Sequence, residues 1–200
     1  MKRKIISLFI LLSFLFSASA FALSSPDISA ASAIIVDSES GQVLYEKNAD
    51  ERRFPASTTK IMTALIAIEQ GNMDDVVTVS REAVEGLYEQ GSATFLHAGE
   101  ELTMKQLVSL LLIESSNDSA NAIAKHMTGS TDAFVELMNK RAEELGCKDT
   151  HFTNPNGLHD ENHYTTARDL YIIAEKCMEY PLFAELVSSQ KYTLAPTNKV

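Results

Sequence analysis

The sequence predicts an α+β fold in which helices pack on an antiparallel sheet, and three observations lead to this prediction. The segment 33–46 has the pattern of two strands joined by a turn. Five segments with apolar residues at helical spacing follow it, and capping or breaking residues bound them. With 200 residues and 45% apolar content, the chain is long enough to bury one hydrophobic core.

The first residues are expected to be removed after export. A basic start at 2–4 precedes an apolar run from Ile5 to Phe16, and small residues follow. This order is typical of a secretory signal peptide, here 1–22, and the run is too short for a good membrane span. We therefore expect an exported protein whose folded part is 23–200.

The charge of the chain disfavours nucleic acid and anionic lipid as primary partners. The formal net charge is −10, and removal of the three basic residues at 2–4 takes it to about −13. Phosphate backbones and anionic membrane surfaces repel a protein as acidic as this one.

The two cysteines leave two alternatives open. After export, Cys147 and Cys177 would meet an oxidising setting, in which they could form one disulfide bridge. Cys177 lies on the apolar side of a helical pattern, so a buried free thiol is at least as consistent with the sequence.

The extended segments come first in the chain. Strands are predicted at 33–37 and 42–46, with a turn at 38–41 between them. Val76–Val79 is a further short extended segment. From Ser80 to Gly99 the periodicity is weak and glycines recur, which predicts a long surface loop containing a short helix, of the kind that often borders a site.

A central helix is predicted directly after Phe54–Lys60. Nearly every position from Ile61 to Ile68 is apolar, so this helix would be surrounded by protein on all sides. Pro55 just before its start and Gly71 just past its end are the usual boundary residues.

Four more helices are predicted from caps and apolar stripes, and a capping box of Thr103 and Gln106 opens the first of them. They are predicted at 107–113, from 114–118 to near Gly129, at 131–145, and from Thr165 or Thr166 to Pro181.

Ser57 and Lys60 are candidate catalytic residues because, three positions apart, they share one face of the first helical turn. Serine is a weak nucleophile until a base takes its proton. Lysine can be that base only when neutral, and both burial and the positive end of the helix dipole favour the neutral amine. The alternative is an ordinary helix start with a solvated lysine. The same Ser-x-x-Lys spacing recurs from Ser188 to Lys191, but a predicted strand, Tyr192–Leu194, follows it. The structure that follows each pattern, and not the spacing itself, therefore distinguishes the two.

A polar cluster, Ser115-Ser116-Asn117, separates two strongly apolar helical segments. Its structural interpretation is a helix cap, for which a single one of these residues would suffice. A Ser-x-Asn pattern recurs at Ser119-Ala120-Asn121, so the pattern is weak by itself.

Together these segments resemble the D-alanyl-D-alanine carboxypeptidases, the low-molecular-mass penicillin-binding proteins of bacterial cell walls. The resemblance extends from Ala33 to about Lys191 and implies a β-lactamase/transpeptidase-like fold. The segments that carry it occur in the family's order: Ile35-Val36-Asp37, Gly41–Tyr45, Pro55–Thr63, Gly91-Ser92, Ser115–Asp118, Asn154–Leu158 and Thr165–Leu170.

The resemblance also implies a role for each candidate residue. Ser57 would attack the carbonyl between two terminal D-alanines of a peptidoglycan stem peptide, and Lys60 would accept its proton. Ser115 would relay a proton to the leaving amine, and Asn117 would bind the peptide backbone. β-Lactam antibiotics would leave Ser57 covalently blocked.

One element of the family is absent from these 200 residues. Lys-Thr-Gly does not occur, and the sequence stops at Val200 without a natural helix or strand end. We therefore expect the remaining strands of the sheet, the residues that bind the peptide's carboxylate, and any membrane-anchoring segment to lie beyond Val200.

Two other functions compete with the carboxypeptidase. A serine β-lactamase uses the same acylation, but Ser116 replaces the usual Asp, and no Glu-x-x-x-Asn deacylation element is evident in the expected region. A non-catalytic peptidoglycan-binding fragment is the second alternative.

We expect neither a metal nor another cofactor. His159 and His163 lie four apart, but a zincin needs His-Glu-x-x-His on a helix, and the turn cluster Asn154–Gly157 breaks any helix there. The other histidines are scattered along the chain and are expected to be structural.

Overall fold

The computed structural model describes residues 27–87 and 96–199. The expected signal peptide at 1–22 and the Gly91-Ser92 segment lie outside the described residues.

The predicted hairpin is present at the start of the described chain. β1 (Ala33–Val36) pairs antiparallel with β2 (Val43–Lys47), and the register shifts near Val36. A second antiparallel pair joins β3 (Val76–Thr78) to β4 (Glu101–Thr103). β3 coincides with the predicted extended segment, whereas no sequence pattern predicts β4.

Helices form most of the remaining described structure, and all five predicted helices are confirmed. A short 3₁₀ turn, Ala56–Thr59, leads directly into the first of them. The helices are α1 (Lys60–Gln70), α2 (Arg81–Val84), α3 (Met104–Ile113), α4 (Asn117–Thr128), α5 (Thr131–Leu145), α6 (Ala167–Met178) and α7 (Pro181–Ser188). None of these helices is long and apolar enough to cross a bilayer.

The central position predicted for α1 is confirmed. α1 packs against α3, α4, α5, α6 and α7, while α6 also packs on β1. Leu65, Ile66 and Ala67 are at most 1% exposed. Full burial of a Leu or Ile side chain stabilises a fold by about 1.5–3 kcal/mol, so the helix that begins at Lys60 is firmly held.

The predicted strand at Tyr192–Leu194 is wrong. The described segment after Ser188 forms no strand, and side-chain contacts hold its end: Thr197 donates to Glu100, and the Asn198 side chain accepts from the Glu101 backbone N–H.

Helix α7 was also not expected. Proline is favoured at the first helical position, so Pro181 begins α7 as well as following the end of α6.

Both cysteines are free thiols, so the disulfide alternative is not realised in this structure. Cys177 is buried and Cys147 is half-buried. Burial raises the pKa of each thiol to about 12, which keeps both protonated and unreactive at neutral pH.

Asp169, 3% exposed at the start of α6, ties down the segment that follows α5. Its carboxylate accepts hydrogen bonds from the backbone N–H groups of Lys148 and Asp149 and from the Thr150 hydroxyl. We expect Asp169→Ala to lower the free energy of unfolding by about 3 kcal/mol, because these donors lose their acceptor.

Urea unfolding would measure this change, with Asp132→Ala as the control. Asp132 also lies in the first turn of a helix but is exposed, so we expect its removal to cost less than about 1 kcal/mol. Equal losses in the two variants would contradict the anchoring role of Asp169.

Candidate active site

The structure brings Ser57 and Lys60 together. Ser57 lies exposed in the 3₁₀ turn, and Lys60 is the first residue of α1 with only 2% of its surface exposed. The Lys60 Nζ lies 3.3 Å from the Ser57 Oγ, at the outer limit of a hydrogen bond. A base is thus within reach of a solvent-accessible hydroxyl.

The surroundings of Lys60 favour its neutral form. Burial lowers the pKa of Lys60 from 10.5 to about 8, because the charged amine loses hydration. The Nζ also donates a hydrogen bond of 2.6 Å to the backbone carbonyl of Asn156. In the described part of the chain, no carboxylate forms an ion pair with Lys60 to restore the charge.

The backbone before Ser57 adopts an unusual conformation. Ala56 has a φ of 48°, in the left-handed region that residues with a side chain rarely occupy. Gly157, with a φ of 87°, crosses so close to it that a Cβ on Gly157 would overlap the carbonyl of Ala56. The loop around Gly157 therefore supports the turn that presents Ser57.

The turn cluster Asn154–Gly157 is fixed to α1 and within itself. The Pro155 carbonyl accepts a 2.6 Å hydrogen bond from the Thr63 hydroxyl, and the Asn154 side chain accepts one of 2.7 Å from the Gly157 N–H. The sequence predicts a turn here, and this turn is part of the family resemblance. Nothing local in the sequence links the turn to Lys60, because Lys60 and Asn156 are 96 positions apart.

The cap that opens α4 is Ser116. Its hydroxyl accepts from the Ser119 N–H at 3.1 Å and is fully buried. Ser115 is exposed with a φ of 55°, and Asn117 is half-buried at the first position of α4. The cap thus uses one of the three polar residues, and Ser115, which the cap does not use, is exposed.

Ser115 and Asn117 lie at the junction of α3 and α4, both of which pack on α1. Within the described residues, Ser115 forms no hydrogen bond with Ser57 or Lys60. The structure therefore places Ser57 and Lys60 in direct contact, and it places Ser115 and Asn117 at the junction of two helices that pack on α1.

The histidines have different surroundings. His163 is 2% exposed, and the His159 ring packs edge-on against Phe54 at 4.6 Å. Among residues 27–87 and 96–199, no three His, Cys, Asp or Glu side chains are grouped so that they could hold a metal ion.

A cavity of about 800 Å³ lies beside the same loop, bordered by Glu82, Asn121 and Asn154 among others. Ser57 is not among its lining residues. We therefore locate the candidate site by the pair formed by the Ser57 hydroxyl and the Lys60 amine, and not by the cavity. Ser57 lies on the exposed surface.

Residues 19–199 match the peptidase S11 family, described as D-alanyl-D-alanine carboxypeptidase. The chain belongs to this family. It is 39% identical over 186 residues to the D-alanyl-D-alanine carboxypeptidase DacF of Bacillus subtilis, a match that covers 86% of this chain and 47% of DacF. With DacA of Escherichia coli K12 the identity is 38% over 173 residues, covering 80% and 43%. The chain thus spans less than half the length of these two relatives.

Solved structures share the fold of this family member. The Streptomyces K15 DD-transpeptidase superimposes with a TM-score of 0.82 at 34% identity, over 88% of this chain and 70% of that one. Penicillin-binding protein 5 of Haemophilus influenzae gives 0.80 at 34% identity, over 89% and 53%. The α+β, β-lactamase/transpeptidase-like fold expected from the resemblance is thereby confirmed.

Proposed function

We propose that the protein is a serine-type D-alanyl-D-alanine carboxypeptidase that forms its acyl-enzyme on Ser57. The observation that carries this proposal is the buried Lys60 amine, with its lowered pKa, 3.3 Å from the exposed Ser57 hydroxyl. Lys60 takes the Ser57 proton, and the Oγ attacks the carbonyl between two terminal D-alanines. The Ser57 backbone N–H lies at a helix start, where donors lack intrahelical partners, and contributes to an oxyanion hole.

The remaining steps use the polar cluster before α4. Ser115 relays a proton to the leaving D-alanine, and Asn117 donates a hydrogen bond to the backbone of the bound stem peptide. Ser115 is exposed and the helix cap does not use it, which supports its part in this scheme. Water then releases the shortened peptide, whereas a β-lactam acylates Ser57 and stays attached.

The substrate of this activity, the peptidoglycan stem peptide, lies outside the cytoplasm. The basic and apolar start of the chain, 1–22, supports export by a signal peptide. We further propose that the protein acts in the cell wall or at the outer face of the cytoplasmic membrane.

Fluorescent penicillin tests the proposal on the full-length protein, since acylation of Ser57 leaves a covalent label visible after denaturing electrophoresis. We expect the wild type to be labelled and Ser57→Ala to be unlabelled. Ser188→Ala is the matched control: it removes the serine of the second Ser-x-x-Lys, whose hydroxyl is bonded to the Ala184 carbonyl at the end of α7. An unlabelled wild type, or a Ser57→Ala variant labelled as strongly as the wild type, would reject the carboxypeptidase.

The lifetime of the label separates this enzyme from a β-lactamase, which shares the acylation step. The penicilloyl-enzyme of a carboxypeptidase is long-lived, whereas a β-lactamase hydrolyses its penicilloyl-enzyme quickly. Rapid loss of the label, with hydrolysed penicillin accumulating, would assign the protein to the β-lactamases.

A further inference from the structure

His163 connects the turn that carries Ser57 to the loop that supports it. The imidazole is 2% exposed and packs edge-on against the Phe152 ring at 5.6 Å. Its Nε2 lies 2.8 Å from the Thr59 hydroxyl, and its Nδ1 lies 3.1 Å from the backbone nitrogen of Thr153. Thr59 belongs to the 3₁₀ turn and Thr153 to the loop, so the ring bridges both.

The partners of the ring determine its tautomer. A backbone N–H can only donate, so the Nδ1 must accept the hydrogen bond from the Thr153 N–H and carries no proton. The Thr153 hydroxyl, also 3.1 Å from the Nδ1, can donate to the same nitrogen. The proton of the neutral ring is then on the Nε2, which donates it to the Thr59 hydroxyl. A protonated Nδ1 would face the Thr153 N–H, donor against donor, and would have only the Thr153 hydroxyl as an acceptor.

The environment keeps the ring neutral. Burial lowers the pKa of His163 to about 4, against the opposing effect of the nearby Asp160 carboxylate. The charges of His151 and His159, when protonated, lower it further. The hydrogen-bonded arrangement therefore persists over the neutral pH range.

Thr59 transmits this contact to the candidate site. It is fully buried and stands between Ser57 and Lys60 in the sequence, so displacement of Thr59 changes the distance between the Ser57 hydroxyl and the Lys60 amine. That distance is already 3.3 Å, and proton transfer requires closer approach.

We propose that His163 is a positioning residue for Ser57, acting as a neutral Nε2–H donor to Thr59 while its Nδ1 holds the Thr153 backbone. This inference rests on the proposed function, because it takes the Ser57 hydroxyl to be the nucleophile that His163 helps to position. His163 touches no reacting atom, and its effect on the reaction passes entirely through Thr59.

Two amide replacements separate the two hydrogen bonds of the ring. The side-chain nitrogen of His163→Gln can take the place of the Nε2 donor and keep the Thr59 contact. The side-chain oxygen of His163→Asn can replace only the Nδ1 acceptor and keeps the Thr153 contact. We expect acylation of Ser57 by penicillin to fall at least about tenfold in His163→Asn and less than about threefold in His163→Gln, since small displacements of reacting groups are costly.

The full-length protein is used, and the non-covalent affinity for penicillin is measured separately from the acylation rate. A positioning role lowers the rate and leaves the affinity within about twofold, whereas general loss of structure lowers both. His151→Asn is the control, since His151 is exposed on the same part of the chain and contacts the Asn162 carbonyl instead. It should acylate at the wild-type rate.

The tautomer gives a readout that does not depend on activity. Nitrogen-15 chemical shifts of the His163 ring in the wild type should show a protonated Nε2 and an unprotonated Nδ1 near neutral pH. The opposite tautomer, or a charged ring, would overturn the proposal even if His163→Asn fails to fold.

Two kinetic outcomes would also overturn it: both amide variants acylating like the wild type, or both losing rate in proportion to their stability. A wild type that takes no penicillin at all would instead reject the proposed function, and the nitrogen shifts would still establish how His163 holds Thr59.

Discussion

Replacing Lys60 with glutamine is expected to slow acylation of Ser57 by about 10²- to 10⁴-fold, the usual contribution of a general base. Glutamine is a polar side chain of nearly the same length, so its amide nitrogen can still donate to the Asn156 carbonyl. It cannot accept the Ser57 proton, because an amide nitrogen has no available lone pair. The time course of penicillin labelling measures the loss.

The pH dependence of the wild type follows from the same amine. Lys60 acts as a base only when neutral, so acylation should fall about tenfold per pH unit below its pKa of about 8 and level off above it. With that pKa roughly a tenth of the amine is neutral at pH 7, against roughly 0.03% for an ordinary lysine. Acylation rates from about pH 6 to about pH 10 would show the bend.

Lys191→Gln is the matched control for Lys60→Gln. Lys191 completes the second Ser-x-x-Lys but is exposed in the segment after α7, so its loss should leave both the rate and the bend unchanged. Wild-type acylation in Lys60→Gln, or a wild-type rate that does not change with pH over this range, would show that Lys60 is not the base.

The parts of this fold that could be predicted are those determined within a few residues of sequence. The apolar run after Lys60 predicts a fully surrounded helix, and α1 is surrounded by five others. The Thr103 and Gln106 capping box is present in full at the start of α3. Ser57 and Lys60 meet because their spacing suits one helical turn, which requires no information about the rest of the chain.

The parts that could not be predicted depend on contacts between distant segments. The recurring pattern at Ser119-Ala120-Asn121 made the Ser-x-Asn signal weaker, yet the Asn121 side chain accepts a 3.1 Å hydrogen bond from the side chain of Asn156. The Asn156 backbone in turn accepts from Lys60. Asn121 therefore helps to hold the carbonyl that contacts the candidate base. The strand wrongly predicted at Tyr192–Leu194 illustrates the same limit, because a β pattern forms a strand only where a partner strand is present.

Gly157→Ala, which adds one methyl group beside the candidate site, is expected to lower the free energy of unfolding strongly. The left-handed φ of 87° costs an alanine about 1–2 kcal/mol. The added Cβ would also overlap the Ala56 carbonyl, which is backbone and cannot move aside as a side chain would. Overpacking of this kind adds about 3 kcal/mol or more, so we expect unfolding free energy to fall by about 4 kcal/mol in total.

Gly146→Ala separates the two contributions. Gly146 has the same φ of 87°, at the end of α5, but a Cβ there would meet nothing within 4 Å. It should therefore lose only the conformational 1–2 kcal/mol and acylate normally. Urea unfolding and penicillin labelling of both variants provide the comparison.

The comparison also tests how the loop acts on the nucleophile. Ala56 directly precedes Ser57, so a shift of the Ala56 backbone away from the added Cβ would move the Ser57 hydroxyl relative to Lys60. A displacement of about 1 Å at a reacting group can cost about 10²-fold in rate, and we expect a loss of that order in the variant that remains folded. If Gly157→Ala were no less stable than Gly146→Ala and acylated as fast as the wild type, the loop would not be supporting the Ser57 turn.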